Sequence, residues 1–259
     1  MLLMSLLLLG SMYVHNGTDN PYAPMQPIQV RINEWQERQA LIYTPEKPVP
    51  GKKYPLLICF HGKSIAGTDL SRIFRQGVAR QLREGKKIAA VNPKDKHLYE
   101  FIVLTPLSLS WSWPPQDMEG MLDDIMRRYP VDPARIYLTG YSAGGWAVES
   151  AKTHSARLTK RIAACVTMSP PITDNPYLKR YKLVADAGIH TWYFAGEQEA
   201  YFLHNVHTFI DSTDHYRKGL TRITEFKGGH CCWQSFYNPD YRENGMSIYE
   251  WMLQYTTKN

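Results

Sequence analysis

The sequence predicts an α/β fold in which helices cover both faces of a mostly parallel central sheet. Short, continuous apolar runs recur along the chain, and such runs are typical of strands buried on both faces. Stretches with helical periodicity separate most of these runs, and the alternation of strand and helix is characteristic of a parallel sheet. The chain has 259 residues, 44% of them hydrophobic, which is enough to bury a large core.

The strands follow from the position and pattern of the apolar runs. Two strands at 28–33 and 37–43 are joined by a short turn, which predicts an antiparallel hairpin at one edge of the sheet. Five buried runs predict the central strands, at 54–60, 101–105, 135–139, 162–167 and 190–195. Residues 221–226 alternate more between polar and apolar types, which predicts a strand nearer a sheet edge.

Helices are predicted between these strands. In the clearest case, residues 118–129, one apolar face at three- and four-residue spacing is formed by Met118, Met121, Leu122, Ile125, Met126 and Tyr129. Further helices are predicted at 70–84, directly after residue 142, at 205–219 and at 247–255. Because the chain contains no internal repeat and no long linker, we interpret residues 21–259 as a single domain.

The first ten residues are strongly apolar, but they are too few to cross a bilayer as a helix. We interpret residues 1–20 as a secretory signal segment, which predicts a secreted or periplasmic protein without stable membrane insertion. The segment lacks a basic residue before the apolar run and a clear A-x-A cleavage site, so a buried or disordered tail is the alternative.

The charge distribution and the cysteines argue against nucleic-acid binding and against a metal site. The formal charge of +6 arises from scattered basic residues, which favours a solvated surface, and nothing resembles a nucleic-acid-binding motif.

The chain has four cysteines. Cys59 and Cys165 fall in predicted central strands, where buried thiols are expected. A bridge between the neighbours Cys231 and Cys232 would be strained, and the count of four neither demands a disulfide nor excludes one between distant pairs. No metal site is predicted, because His230, Cys231 and Cys232 lack a second ligand cluster at zinc-like spacing.

The segment Gly140-Tyr141-Ser142-Ala143-Gly144 has the pattern G-x-S-x-G, with a predicted strand before it and a helix after it. In this context the glycines allow the flanking backbone to approach closely while the serine hydroxyl points outward. The pattern therefore predicts Ser142 as a nucleophile. The alternative is a serine that only caps the following helix.

A serine nucleophile needs a base and an acid that orients the base, and in a parallel sheet these groups gather at the carboxyl ends of the strands. His230 follows the last predicted strand, on the flexible pair Gly228-Gly229, and is our candidate base; a surface histidine is the alternative. Glu199 is our candidate acid, with Glu197 as the alternative acid, and either carboxylate could instead be a solvated loop charge.

The remaining parts of the site are backbone donors and aromatic side chains. The oxyanion hole is predicted from the backbone N–H groups of Ala143 and Lys63, with His61 as a structural support of the Lys63 loop. Aromatic residues on loops near the site could contact substrate or could be ordinary packing, with Trp113, Tyr141 and Trp233 as the leading candidates beside Trp111 and Tyr201.

Four segments together resemble the α/β-hydrolase superfamily. They are residues 60–62, 131–145, the loop ending at 196–199, and 229–237 before the closing helix. More narrowly, the chain is similar to the secreted esterase group of polyhydroxybutyrate-depolymerase-like and feruloyl-esterase-like proteins and predicted peptidases. The resemblance implies the α/β-hydrolase fold, with Ser142, His230 and an acid at the Glu199 position. This chain departs from the group by having Glu where Asp is usual, and Leu107 after Pro106 where Gln is frequent.

These observations predict a serine esterase that forms an acyl-enzyme on Ser142 and needs no cofactor. No large insertion separates the predicted strands, so we expect an open cleft without a large lid. The resemblance implies a small-molecule or polysaccharide ester as substrate, such as an acetyl or feruloyl ester. A serine peptidase of the same fold and a catalytically inactive carbohydrate-binding homologue are the alternatives. The sequence does not determine an oligomeric state.

Overall fold

The structure is a computed structural model and describes residues 20–172 and 179–257. Its strands are, in chain order, β1 (Gln26–Arg31), β2 (Glu37–Tyr43), β3 (Tyr54–Phe60), β4 (Ala89–Val91), β5 (Leu98–Glu100), β6 (Ile102–Pro106), β7 (Val131–Tyr141), β8 (Ala164–Met168), β9 (His190–Gly196) and β10 (Thr221–Phe226). The helices are α1 (Gly77–Arg83), α2 (Met118–Arg128), α3 (Ala143–His154), α4 (Ala156–Thr159), α5 (Tyr181–Ala187), α6 (Ala200–Asp214), α7 (Trp233–Tyr237) and α8 (Ile248–Leu253).

Eight of the strands form one sheet in the order β1-β2-β6-β3-β7-β8-β9-β10. The pairs β1–β2 and β2–β6 are antiparallel, and all neighbours from β6 to β10 are parallel. The predicted edge hairpin and the predicted edge position of residues 221–226 are therefore confirmed. Strands β4 and β5 form a separate antiparallel pair, which the sequence analysis missed because each is only three residues long.

Helices cover both faces of this sheet, as predicted. One apolar core lies between the sheet and α1, α7 and α8, and includes Val78, Phe236 and Trp251. The second core lies on the other face, against α2, α3, α5 and α6, and includes Leu122 and Val148. The predicted apolar face of residues 118–129 belongs to this second core, since Met118, Met121, Leu122 and Ile125 are all buried.

Two predicted helices differ from the structure. The helix expected over 70–84 is broken, with a 3-10 helix at Leu70–Arg75 and then α1. The break lies at Gln76, which is extended, and at Gly77, whose φ of +79° is left-handed. The sequence predicted one helix because the apolar residues of the 3-10 helix and of α1 pack against the same core and so keep a helical spacing. The helix expected over 205–219 begins earlier, at Ala200, directly after Glu199.

The cysteines agree with the sequence analysis in part. Cys59 and Cys165 are buried free thiols in the central strands, as predicted. Cys231 and Cys232 form a disulfide with each other, a pairing that the sequence had not favoured because a bridge between neighbours was expected to be strained.

The predicted signal segment, except for its last residue, lies outside the described residues. Within the described ranges, no helix combines the length and apolar character needed to cross a membrane.

Candidate active site

Ser142 occupies a sharp turn between the end of β7 and the start of α3. Its φ of 53° and ψ of −124° are unusual for a residue with a side chain, and its N–H donates to the Met168 carbonyl at 2.9 Å. A Cβ at Gly140 would lie 2.3 Å from the Gly144 oxygen, and a Cβ at Gly144 would lie 2.1 Å from the Phe60 oxygen. Both glycines of the motif are therefore required by close backbone contacts.

Ser142, His230 and Glu199 form a continuous chain of hydrogen bonds. Ser142 Oγ lies 2.8 Å from His230 Nε2, and His230 Nδ1 lies 2.7 Å from Glu199 Oε2. The carboxylate can only accept, so Nδ1 carries the proton and Nε2 accepts from the serine hydroxyl. The three groups meet at the carboxyl ends of β7, β9 and β10. The sequence had placed each of them just after a predicted strand.

The two candidate acids occupy different environments. Glu199 is buried, and its Oε1 accepts the Gly196 N–H at 2.7 Å as well as the hydroxyl of Ser169. Glu197 is exposed, and its carboxylate makes no hydrogen bond or ion pair within the part of the chain that the structure describes. The structure therefore brings Glu199, and not Glu197, to the imidazole.

Two residues at this site were missed by the sequence analysis. Ser169 directly follows β8, so the strand-end criterion that selected Ser142 and His230 could have found it. Phe202 stacks on the imidazole of His230, with ring centroids 4.0 Å apart and planes 20° apart. It lies three residues after Glu199 on α6, so one helical turn carries both contacts to His230. On another side, Trp233 meets the imidazole edge to face, at a centroid distance of 4.9 Å.

His61 supports the loop that follows β3, as expected. Its Nδ1 donates to the Gly62 carbonyl at 2.9 Å, and its Nε2 accepts the Ser108 N–H at 2.9 Å. Burial lowers the pKa of His61 from 6.5 to about 4, so the ring is neutral at pH 7. A neutral ring is the form that both hydrogen bonds require.

This loop lies close to the serine. A Cβ at Gly62 would lie 3.5 Å from the Ser142 Cβ and 2.8 Å from the Tyr141 ring. Lys63 and Ala143, whose N–H groups were predicted to form the oxyanion hole, each begin a helical segment. Neither N–H donates a hydrogen bond to any described residue, which leaves both available to a ligand.

A cavity of about 490 Å³ opens beside Ser142. It is lined by Gly62, Lys63, Ser64, Arg72, Gln76, Tyr141, Ser142, His230 and Trp233. Tyr141 and Trp233 stack on each other with centroids 5.6 Å apart, and both line the cavity. Both rings are buried, with 1% of Tyr141 and 5% of Trp233 exposed, so each offers a ligand only a small apolar surface.

The other predicted aromatic residues lie elsewhere. Trp113 is buried in the second core and does not line the cavity, which argues against the predicted contact with substrate. Trp111 packs on Trp146, and the Tyr201 hydroxyl donates to the Ile172 carbonyl at 2.9 Å. Within residues 20–172 and 179–257, no group of three His, Cys, Asp or Glu side chains could hold a metal ion.

No protein-family model and no curated protein sequence matches this chain. Similar structures are a thermostable esterase (18% identity, TM-score 0.66), an acylaminoacyl peptidase from Pyrococcus horikoshii (16%, 0.58) and a puromycin-hydrolyzing peptidase from Mycobacterium tuberculosis (12%, 0.57). The matches cover 91%, 88% and 83% of this chain, but only 64%, 44% and 38% of those chains. This chain thus spans less than two thirds of each of them. Such likeness, together with the sheet described above, shows that the chain has the α/β-hydrolase fold.

Proposed function

We propose that this protein is a serine hydrolase that cleaves carboxylic esters through an acyl-enzyme. The hydrogen-bond chain from Ser142 through His230 to Glu199 is the observation that carries the proposal. A serine hydroxyl is a weak nucleophile at neutral pH, and an imidazole held by a carboxylate is the group that activates it.

The reaction begins when Ser142 Oγ attacks the ester carbonyl while His230 Nε2 takes the hydroxyl proton. The N–H groups of Lys63 and Ala143 donate to the oxyanion that forms. His230 then gives its proton to the alcohol oxygen as the carbon–oxygen bond breaks, which leaves an acyl group on Ser142. Water attacks this acyl group, His230 takes a proton from the water, and that proton returns to Ser142 Oγ as the acid leaves.

Glu199 keeps His230 in the tautomer that this sequence of steps requires. Its Oε2 accepts the Nδ1 proton, and it stabilises the positive imidazolium that forms twice in each cycle. Glu199 contacts the edge of the imidazole at Nδ1, and the stacked ring of Phe202 restrains one face of it.

The proposal is tested by labelling the protein with a fluorophosphonate probe, which reacts with an activated serine. We expect the native chain to be labelled, and Ser142→Ala to lose the label while remaining folded. Both Ser142→Ala and His230→Ala should lower kcat/KM for short 4-nitrophenyl esters by about 10³-fold or more, since removal of a triad member usually costs several orders of magnitude. A folded native chain that resists labelling would instead favour the inactive, carbohydrate-binding alternative.

A peptidase is the second candidate, because two of the similar structures are peptidases and the same groups can cleave amides. Comparing the turnover of 4-nitrophenyl esters with that of aminoacyl 4-nitroanilides separates the two candidates, and we expect the esters to be preferred. Resemblance to secreted esterases supports an acetyl or feruloyl ester of a polysaccharide as natural substrate. A panel of acylated sugars tests that assignment.

A further inference from the structure

The charges around the catalytic cavity are all of one sign. Apart from Ser142, His230 and the aromatic residues, the lining residues with polar side chains are Lys63, Ser64, Arg72 and Gln76. Two of these four are cations, and among the described lining residues there is no carboxylate. Glu199 is close by, but it is buried behind the imidazole and occupied by three hydrogen bonds.

Arg72 holds its charge in a fixed place. Its Nη1 donates to the Ala66 carbonyl at 2.8 Å, and its Nη2 donates to the Ser64 carbonyl. These hydrogen bonds anchor the guanidinium to the loop that follows β3. Its Nε is buried without a hydrogen-bond partner among the described residues. Carbonyl oxygens accept hydrogen bonds but do not neutralise a cation, so Arg72 keeps its full positive charge at the cavity wall.

Asp69, three residues before Arg72, does not cancel this charge. Its carboxylate is exposed and accepts both the hydroxyl and the N–H of Ser71, at 2.6 Å and 3.0 Å. These two hydrogen bonds lower the pKa of Asp69 more than the charge of Arg72 does. No carboxylate of the described chain lies within 4.0 Å of the Arg72 guanidinium.

Lys63 is the second cation of the same cavity. Its side chain is exposed, and its ammonium group makes no ion pair or hydrogen bond with a described residue. Because the backbone N–H of the same residue is a proposed oxyanion donor, the Lys63 side chain begins beside the position of the reacting carbonyl. Two unpaired cations in a concave site attract an anionic ligand more strongly than the same charges on an open surface.

We propose that the preferred substrates are esters that carry a carboxylate, bound through Lys63 and Arg72. This proposal rests on the proposed esterase function and assigns the substrate class of the same cavity. A carboxylate is a natural partner of both cations, and Nη1 and Nη2 of Arg72 each keep one N–H group beyond the one that donates to a loop carbonyl. Neutral esters of the same size would lack these contacts and would leave both cations unpaired.

The test compares carboxylate esters with their neutral methyl esters. The first pair, mono-4-nitrophenyl adipate and methyl 4-nitrophenyl adipate, carries the charge on the acyl side. The second pair, 4-acetoxybenzoate and methyl 4-acetoxybenzoate, carries it on the alcohol side. We expect kcat/KM to favour the charged ester of at least one pair by about 3- to 30-fold at low ionic strength, and 1 M salt to reduce this preference. The pair that shows the preference identifies the side of the ester that faces the cations.

Substitutions connect the preference to the two cations. Lys63→Gln keeps the backbone N–H, and we expect it to lower the preference for the charged ester by about 3- to 10-fold. Arg72→Gln should lower the preference as well, and Lys63→Gln keeps the test decisive if Arg72→Gln does not fold. Lys218→Gln is the matched control, because it removes the same charge from an exposed turn before β10, at the opposite end of that strand from His230.

Two outcomes would overturn the proposal, and they are distinct. If the methyl esters are hydrolysed but neither charged ester is preferred, or if Lys63→Gln and Lys218→Gln leave the same preference, the substrate class is wrong and the esterase function stands. If no ester is hydrolysed and Ser142 resists labelling, both proposals fail.

Discussion

The Glu199 carboxylate accepts three hydrogen bonds from three separate parts of the chain. One comes from His230, one from the backbone N–H of Gly196, and one from the Ser169 hydroxyl. With both oxygens occupied and the side chain buried, the carboxylate has little freedom to rotate away from the imidazole. Its position is therefore set by its surroundings and not only by the turn that carries it.

Glu199→Gln should lower kcat by about 10²- to 10⁴-fold, because an amide no longer selects the productive imidazole tautomer or stabilises the imidazolium. Glu197→Gln is the matched control and should stay within about threefold of the native rate, since an exposed charge without a partner contributes little. Steady-state kinetics on a short ester measures both variants. Equal activity in the two variants would place the acid elsewhere.

Ser169→Ala should lower kcat by about tenfold and leave KM almost unchanged, since a hydrogen bond to a charged group contributes about 1.5–3 kcal/mol. The Ser169 hydroxyl donates to Glu199, and Ser169 is not among the residues that line the cavity, so its effect should pass through the acid and not through substrate binding. Kinetics with a series of substrate concentrations separates kcat from KM. A rise in KM alone, or no effect on kcat, would contradict this positioning role.

At the scale of elements, α3 is held against the sheet by a buried ion pair in addition to apolar packing. Lys152 Nζ lies 2.8 Å from Glu149 Oε2, and both side chains are buried. The ammonium also donates to Tyr193 on β9 at 2.8 Å, and the hydroxyl of Tyr181 on α5 donates to Glu149. Burial raises the pKa of both tyrosines, which keeps them as neutral hydrogen-bond donors. The helix that follows the nucleophile is thereby connected to its neighbours.

Lys152→Met should lower the free energy of unfolding by about 3–5 kcal/mol, because it leaves the Glu149 carboxylate buried without its cation. The control is Lys182→Met, which breaks an exposed pair with Asp186 at 2.8 Å and should cost less than about 1 kcal/mol. Urea unfolding followed by circular dichroism measures the two values. Similar losses in both variants would show that the buried pair contributes no more than a surface pair.

At the scale of the whole molecule, His61 makes stability depend on pH. Burial lowers its folded pKa to about 4, from an ordinary value of 6.5, so protonation favours the unfolded chain. The stabilisation is therefore complete above pH 6.5 and is lost as the pH falls toward 4. Between pH 7 and pH 5 this one residue should lower the free energy of unfolding by about 2 kcal/mol.

His61→Gln removes this titration, so its stability should fall less steeply between pH 7 and pH 5 than that of the native protein. The control is His97→Gln, which changes an exposed histidine and should keep the native slope. Urea unfolding at the two pH values gives the slope for each protein. An unchanged slope in His61→Gln would show that His61 is not buried as a neutral ring.

The strands were predicted well because a strand buried on both faces needs a continuous apolar run. Strand β3 has the predicted bounds, and Ser142, Glu199 and His230 each follow the carboxyl end of a parallel strand, as their positions in the sequence predicted. Boundaries set by non-local contacts were predicted less well. Strand β7 begins at Val131 because Val131 pairs with Tyr54 of β3. Helix α1 starts only at Gly77 because the chain turns there against Cys59 and Tyr141.

The sequence by itself determined the fold class, the serine turn and the strand ends at which the polar groups of the site lie, because these depend on local patterns of apolar residues and glycines. Only the tertiary structure decided which glutamate contacts His230, that Ser169 and Phe202 hold the acid and base, and that Trp113 belongs to the core. It also brought Lys63 and Arg72 to the same cavity wall. The physical reason is that such contacts join residues far apart in the chain, and only the packing of strands and helices sets the distances between them.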